Sequence, residues 1–192
     1  MTGEESVDAP LHTNFTFRPF TKEYQTKVAA RIGRKRPKQN LYSEDHPESE
    51  SFLINRYPLE LCDAEGDGAC LPRCISLAVF GTEKYHQMLR NKVVDFLIHH
   101  HLPCEPEIRG NDFQSKMKEM RKRKTNMTTR EVEGFAFLLD CPIYTCVQAQ
   151  YRGKTYFAWQ RLPHEASTVQ VGGTRGIYLL NADVHFQLVM QP

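Results

Sequence analysis

Apolar residues are sparse over the first 50 positions and dense afterwards, and the spacing between them marks out the elements. Leu71 to Phe80 is a short apolar run closed by Gly81, which predicts a buried helix with Pro72 in its first turn, where a missing N–H does no harm. Thr82 is placed to cap a second helix, in which Tyr85, Met88, Leu89, Val93, Phe96 and Leu97 recur at helical spacing. Phe113, Met117 and Met120 mark a narrow stripe on an otherwise charged helix. Thr128 and Glu131 then read as a capping box ahead of a helix with Val132, Phe135, Ala136 and Leu139 on one face. Beyond Pro142 the period changes to two: Ile143, Thr145 and Val147 alternate with Tyr144, Cys146 and Gln148. A turn at Arg152-Gly153 leads on to Tyr156, Phe157 and Trp159, so a hairpin is expected, its aromatic residues packing on the core. Gly172, Gly173 and Gly176 break the chain before Ile177 to Leu180 and Val184 to Met190, which predict a second hairpin around Asn181-Ala182-Asp183. Helices first and strands later give an α/β (α+β) domain with a small, mostly antiparallel sheet packed between helices.

The polar distribution adds a domain boundary. With 192 residues, the chain has room for one domain, or one domain and a tail. Residues 1-50 carry 8 basic and 8 acidic side chains segregated into blocks, too little apolar surface to offset their ordering entropy, and read as a disordered tail ahead of a domain at 51-192. Within that tail Arg31, Arg34, Lys35, Arg36 and Lys38 form a basic knot, read as a solvated segment or as an import signal or weak nucleic-acid contact. A second basic segment, 109-130, carries eight basic groups against two acidic ones and reads as the flank of a charged surface helix. The whole chain is nearly neutral, at +2, which disfavours nucleic acid as the main partner. No run approaches the length of a membrane span, and the acidic, polar start lacks the pattern of a leader peptide. Six cysteines without regular spacing are expected to be reduced thiols, which places the protein in the cytoplasm, the nucleus or both; a monomer is expected.

Among those cysteines Cys70 stands apart. Glu65-Gly66-Asp67-Gly68-Ala69-Cys70-Leu71 is a glycine-rich turn delivering a thiol to the start of an apolar helix. There the unpaired N–H groups and the positive end of the helix dipole stabilise a thiolate. The slim residues beside it let a carbonyl approach, so the main-chain N–H groups of Gly68, Ala69 and Cys70 are candidates for an oxyanion hole. A thiol nucleophile needs a base, and His185 lies in the apolar run 184-189, on the face opposite Val184 and Phe186. Cys74 follows one helical turn after Cys70, and Cys62, Cys141 and Cys146 read as core or neutral positions. His99-His100-His101 with Cys104 does not make a metal site, because three consecutive helical side chains diverge; no metal and no cofactor are expected.

Asp67-Gly68-Ala69-Cys70-Leu71 followed by Arg73, then Phe80-Gly81, Leu89-Arg90 and Val93-Val94, and finally His185-Phe186, resembles the ovarian tumour (OTU) family of cysteine proteases over about residues 55-190. The resemblance implies a papain-like α/β fold, no metal, and hydrolysis of isopeptide or peptide bonds at the C-terminus of ubiquitin, with ubiquitin, polyubiquitin chains and ubiquitinated proteins as partners. It implies Cys70 as nucleophile, His185 as general base, and Asp67 as the aspartate that sets the active-site loop. Two positions depart from the family pattern. Pro72 stands where an aromatic residue is common, and Gln187 where Asn or Asp orients the imidazole. Gln187 can accept the ring N–H without charge; Asp183 or Asp67 is the alternative orienting carboxylate. The same glutamine motivates a second expectation, a catalytically weak or inactive ubiquitin-binding module.

Overall fold

The computed structural model describes residues 15-35, 41-42, 51-52, 57-100, 111-151, 153-164, 169-182 and 185-191. In chain order these form β1 (Phe15–Thr16), α1 (Lys22–Arg31), β2 (Ser51–Phe52), β3 (Glu60–Cys62), α2 (Cys70–Phe80), a 3-10 turn (Glu83–Tyr85), α3 (His86–His100), α4 (Asn111–Met120), α5 (Thr129–Leu139), β4 (Ile143–Tyr151), β5 (Lys154–Leu162), β6 (Ile177–Ala182) and β7 (His185–Gln191). Every residue of α2 is buried, so it is the central helix, with Gly81 ending it in the left-handed conformation (φ 68°) that glycine adopts without strain. The Thr82 hydroxyl accepts from the Lys84 N–H, and the helix expected from that cap opens as a 3-10 turn before α3. On α3 the buried stripe is Leu89, Val93, Val94 and Leu97, joined by the charged Arg90. The capping box of α5 is present: the Glu131 carboxylate accepts from both the N–H and the hydroxyl of Thr128.

The main sheet runs β3-β7-β6-β4-β5. The β4–β5 and β6–β7 pairs are the two expected hairpins, and β4 with β6 is the parallel pair. One face of the sheet packs on the helical layer through Ile143, Ile177, Leu179, Phe186 and Leu188. On the other, Cys146, Trp159, Tyr178, Leu180 and Val189 are covered by Phe17 and Tyr42. The Tyr178 hydroxyl accepts from the Arg18 N–H at 2.8 Å and donates to the Thr16 carbonyl at 2.9 Å.

That cover corrects the expected tail. Residues 15-35 and 41-42 belong to the folded core, with Phe17, Phe20, Val28, Ala29, Ile32 and Tyr42 all buried. Thr21 caps α1, the buried Gln25 amide donates to the Ala78 carbonyl of α2 at 2.8 Å, and Arg31, from the basic knot, pairs with Asp140 at 2.9 Å. The stripe Phe20, Tyr24, Val28, Ile32 repeats every four residues but is interleaved with charge, which hides it from a reading by apolar density. Arg36 and Lys38 lie outside the described residues, as do His101 and Cys104. The second basic segment is corrected too. Its helix ends at Met120, and Arg121 to Lys124 form a turn in which the Lys122 N–H donates to Glu119 and the Thr125 N–H to Lys122. Three of the four consecutive cations pair with carboxylates, Arg121 with Asp95, Lys122 with Glu119 and Arg123 with Asp67. No helix among the described residues is long and apolar enough to cross a membrane.

Candidate active site

Cys70 is the first residue of α2, behind a loop whose shape depends on two bonded groups. Asp67 Oδ1 accepts from the Ala69 N–H at 3.0 Å, closing a turn over Gly68, which sits at φ +81°. Arg73, one turn into α2, grips the same carboxylate from the other side, Nε to Oδ1 at 3.3 Å and Nη2 to Oδ2 at 2.8 Å. It also reaches Glu65 at 2.7 Å and Glu83 at 2.6 Å. The Arg73 hydrogen bonds hold the Asp67 carboxyl at about 2, below the ordinary carboxylate range. Gly68 is required on a second ground, since a Cβ there would meet the Lys124 carbonyl oxygen at 2.4 Å.

The β7 strand lies directly against Cys70. The Phe186 N–H donates to Cys70 Sγ at 3.4 Å, and Cys74 Sγ donates to the Phe186 carbonyl at the same distance, so the two thiols of α2 hold one residue of β7. His185 is the neighbour of that residue. Alternation along β7 turns Phe186 into the core and leaves His185 and Gln187 partly exposed on the opposite face. Cys70 and His185, 115 positions apart, thereby line one cleft of about 540 Å3, together with Asp63 to Gly66, Gly68 and Asn126. Cys70 lies at its floor, only 3 % exposed.

The group on the imidazole is not one the sequence singles out. His185 Nε2 lies 3.1 Å from Asp63 Oδ1, and the Gln187 side-chain amide donates to the same oxygen, also at 3.1 Å. Asp63 follows β3, which pairs with β7 through Cys62 opposite Leu188, so strand register delivers this carboxylate to the 185/187 face. Its carboxyl is held below its ordinary range, first by the His185 hydrogen bond and then by Gln187. Because a carboxylate only accepts, Nε2 is the ring nitrogen that donates to Asp63, which in the neutral imidazole leaves the lone pair on Nδ1. The Nδ1 edge faces the nucleophile loop: a Cβ on Gly66 would lie 3.8 Å from Nδ1.

Three site expectations change. Gln187 bonds the Asp63 carboxylate, which the pairing of β3 with β7 sets beside it, instead of the imidazole. Asp67 is bonded to Ala69, Arg73 and, at 3.5 Å, Arg123, in keeping with the loop-setting role expected of it, whereas its alternative role as orienter of the imidazole passes to Asp63. Ala69 drops out of the oxyanion donors, its N–H being bonded to Asp67. Asp183 lies outside the described residues. Asn126 on the cleft wall has no sequence signature. Burial pushes the Cys62, Cys74 and Cys141 thiols up, and Cys146 up to about 12, which favours their protonated form. Among the described residues no group of three His, Cys, Asp or Glu side chains is arranged to hold a metal.

Solved structures with the same fold include the OTU domain protease of Dera Ghazi Khan virus, with a TM-score of 0.55 and 13% identity over 71% of this chain and 85% of that one. The Hazara virus OTU bound to ubiquitin gives a TM-score of 0.52 with 14% identity over 69% of this chain and 81% of that one. An OTU deubiquitinase from Wolbachia pipientis wMel, also bound to ubiquitin, gives 0.51 with 12% identity over 69% of this chain and 95% of that one. No curated protein matches the chain. Residues 65-168, more than half of the chain and including Cys70, match the family described as OTU-like cysteine protease, and the protein belongs to that family.

Proposed function

We propose that the protein is a deubiquitinating cysteine protease in which Cys70, His185 and Asp63 form the catalytic triad. The observation that carries this reading is the cleft itself. It joins a thiol at a helix N-terminus, an imidazole whose Nδ1 edge faces the thiol's loop, and a carboxylate on Nε2. Family membership supports the reaction class, and the ubiquitin-bound relatives of the same fold support ubiquitin as the acyl donor.

His185 Nδ1 takes the Cys70 proton, and the thiolate, favoured by the start of α2 and by the Phe186 N–H, attacks the carbonyl carbon of ubiquitin's terminal glycine. The developing oxyanion is met by the main-chain N–H groups of Gly68 and Cys70. Collapse of the tetrahedral intermediate breaks the C–N bond, and His185 returns its proton to the departing lysine amine. A water then gives a proton to His185 and attacks the thioester; the C–S bond breaks, His185 returns that proton to the Cys70 sulfur, and ubiquitin's new carboxyl group loses its proton to solvent. Throughout, Asp63 holds the imidazole in register and stabilises its charged form, and Gln187 steadies Asp63. Gln187, which on sequence alone suggests an inactive module, is in this arrangement part of the support for a complete triad.

Cleavage of a fluorogenic ubiquitin C-terminal amide tests the reading. The native protein is expected to release the fluorophore, and Cys70→Ala and His185→Ala to lose that activity; equal rates for native protein and variants would refute it.

A further inference from the structure

Arg90 is fully buried in α3, and its guanidinium is committed to main-chain carbonyls. Nη1 donates to Met120 at 2.8 Å and to Thr125 at 2.9 Å, and Nη2 donates to Gly68 at 2.7 Å. A buried charge bonded to neutral carbonyls is a costly arrangement for a fold to keep. Its three acceptors share one property. Met120 and Thr125 bracket the basic turn Arg121 to Lys124, and Gly68 is two residues before Cys70. The turn in turn abuts the nucleophile loop, since the space where Gly68 would carry a Cβ is filled by the Lys124 carbonyl.

We infer that Arg90 is a positioning residue for the oxyanion hole, fixing the peptide planes that aim the Cys70 N–H; this rests on the cysteine-protease reading above. The Gly68–Ala69 peptide is held at both ends, its carbonyl by Arg90 and its N–H by Asp67. The next peptide, Ala69–Cys70, is held at its carbonyl by the Arg73 N–H. With both planes fixed, the Cys70 N–H has one direction before substrate arrives, and the donor needs no reorganisation in the transition state. Arg90 touches neither substrate nor reacting atoms. It acts as the buttress between the loop and the turn, and a lysine cannot replace it, because one ammonium cannot reproduce the planar fork that reaches three carbonyls on different segments.

The experiment compares Arg90→Lys and Arg90→Met with the native protein in three readouts: kcat and KM on a ubiquitin C-terminal amide, the rate of Cys70 alkylation by iodoacetamide, and amide hydrogen exchange over residues 66-71. Alkylation needs the thiolate but no oxyanion donor, so it separates the hole from the nucleophile. The expected result for both variants is a kcat lower by about tenfold to a hundredfold with KM and alkylation within about threefold. Exchange over 66-71 should be faster in both. If Arg90→Met does not fold, Arg90→Lys carries the comparison. Unchanged kcat, or hydrolysis and alkylation falling in parallel, overturns the assignment. If the native protein leaves the ubiquitin amide intact, the ubiquitin reading fails by itself. Exchange then decides for Arg90: faster exchange confined to 66-71 supports it, and unchanged exchange rejects it.

Discussion

His185 and Asp63 stand 3.1 Å apart, Nε2 to Oδ1, although 122 positions separate them in the chain. β3 and β7 are neighbours in the sheet, and the end of β3 brings Asp63 beside the face of β7 that carries His185 and Gln187. The carboxylate therefore comes from upstream of the nucleophile, whereas the downstream position held by Gln187 serves to steady it.

Asp63→Asn keeps the shape of the side chain and removes its charge. Because the Asp63 side chain is 75 % exposed, water shares in solvating the imidazolium, and the loss in kcat/KM should be about tenfold to a hundredfold, below that of a buried orienting aspartate. Gln187→Leu should cost about three- to tenfold, and the double variant little more than Asp63→Asn alone, because glutamine acts through the carboxylate. Steady-state kinetics on the ubiquitin amide measures all three; additive losses would show that Gln187 works independently.

Gly68→Ala meets two obstacles at one position, a φ of +81° and a carbonyl oxygen 2.4 Å from the new methyl carbon. The left-handed conformation alone costs about 1–2 kcal/mol for a non-glycine residue, and relief of the clash has to move the loop or the basic turn. We expect activity reduced by at least about a hundredfold, in keeping with loss of an oxyanion donor. Chemical denaturation should show destabilisation of about 2 kcal/mol or more. A fully active Gly68→Ala protein would contradict the account of the loop.

The Asp67–Arg73 clamp makes stability depend on pH in a defined direction. The folded carboxyl titrates at about 2, below its unfolded value of about 4, so the clamp's contribution is complete above the unfolded value and is lost as pH falls through about 2. The difference in melting temperature between the native protein and Asp67→Asn should be constant from neutral pH down to about pH 5 and shrink steadily below about pH 4. A difference that grows on acidification would mean that another group is responsible.

Residues 15-35 are predicted to be structural. Phe20→Ala removes a side chain that is 1% exposed and packs in the main core, and should destabilise the protein by about 3–5 kcal/mol in urea unfolding. A change below about 0.5 kcal/mol, as for a surface position, would return this segment to the status of a tail.

These residues also show what a single sequence makes legible. Cys70 and His185 stand out because their chemistry is announced locally, by a glycine-rich helix start and by a polar residue in an apolar strand. The two hairpins and the α5 cap are likewise local signals. Asp63 carries no such signal. Its role arises from the pairing of the three-residue strand β3 with β7, a contact between distant segments that neither propensity nor periodicity encodes. Gln187 is visible in the sequence as a departure, but its partner is not. The stripe Phe20, Tyr24, Val28, Ile32 had the spacing of a buried helix, and the charges between its members obscured it. Arg90 sits among Leu89, Val93 and Val94 as an ordinary charged residue, and only the fold shows that carbonyls from two loops surround it.

The most direct measurement of the central claim is reaction with a ubiquitin probe bearing a C-terminal electrophile, followed by mass spectrometry of the adduct. The account predicts one covalent ubiquitin per protein, attached at Cys70, absent in Cys70→Ala and formed more slowly in His185→Ala and Asp63→Asn. No adduct with the native protein, or an adduct that persists in Cys70→Ala, would contradict it.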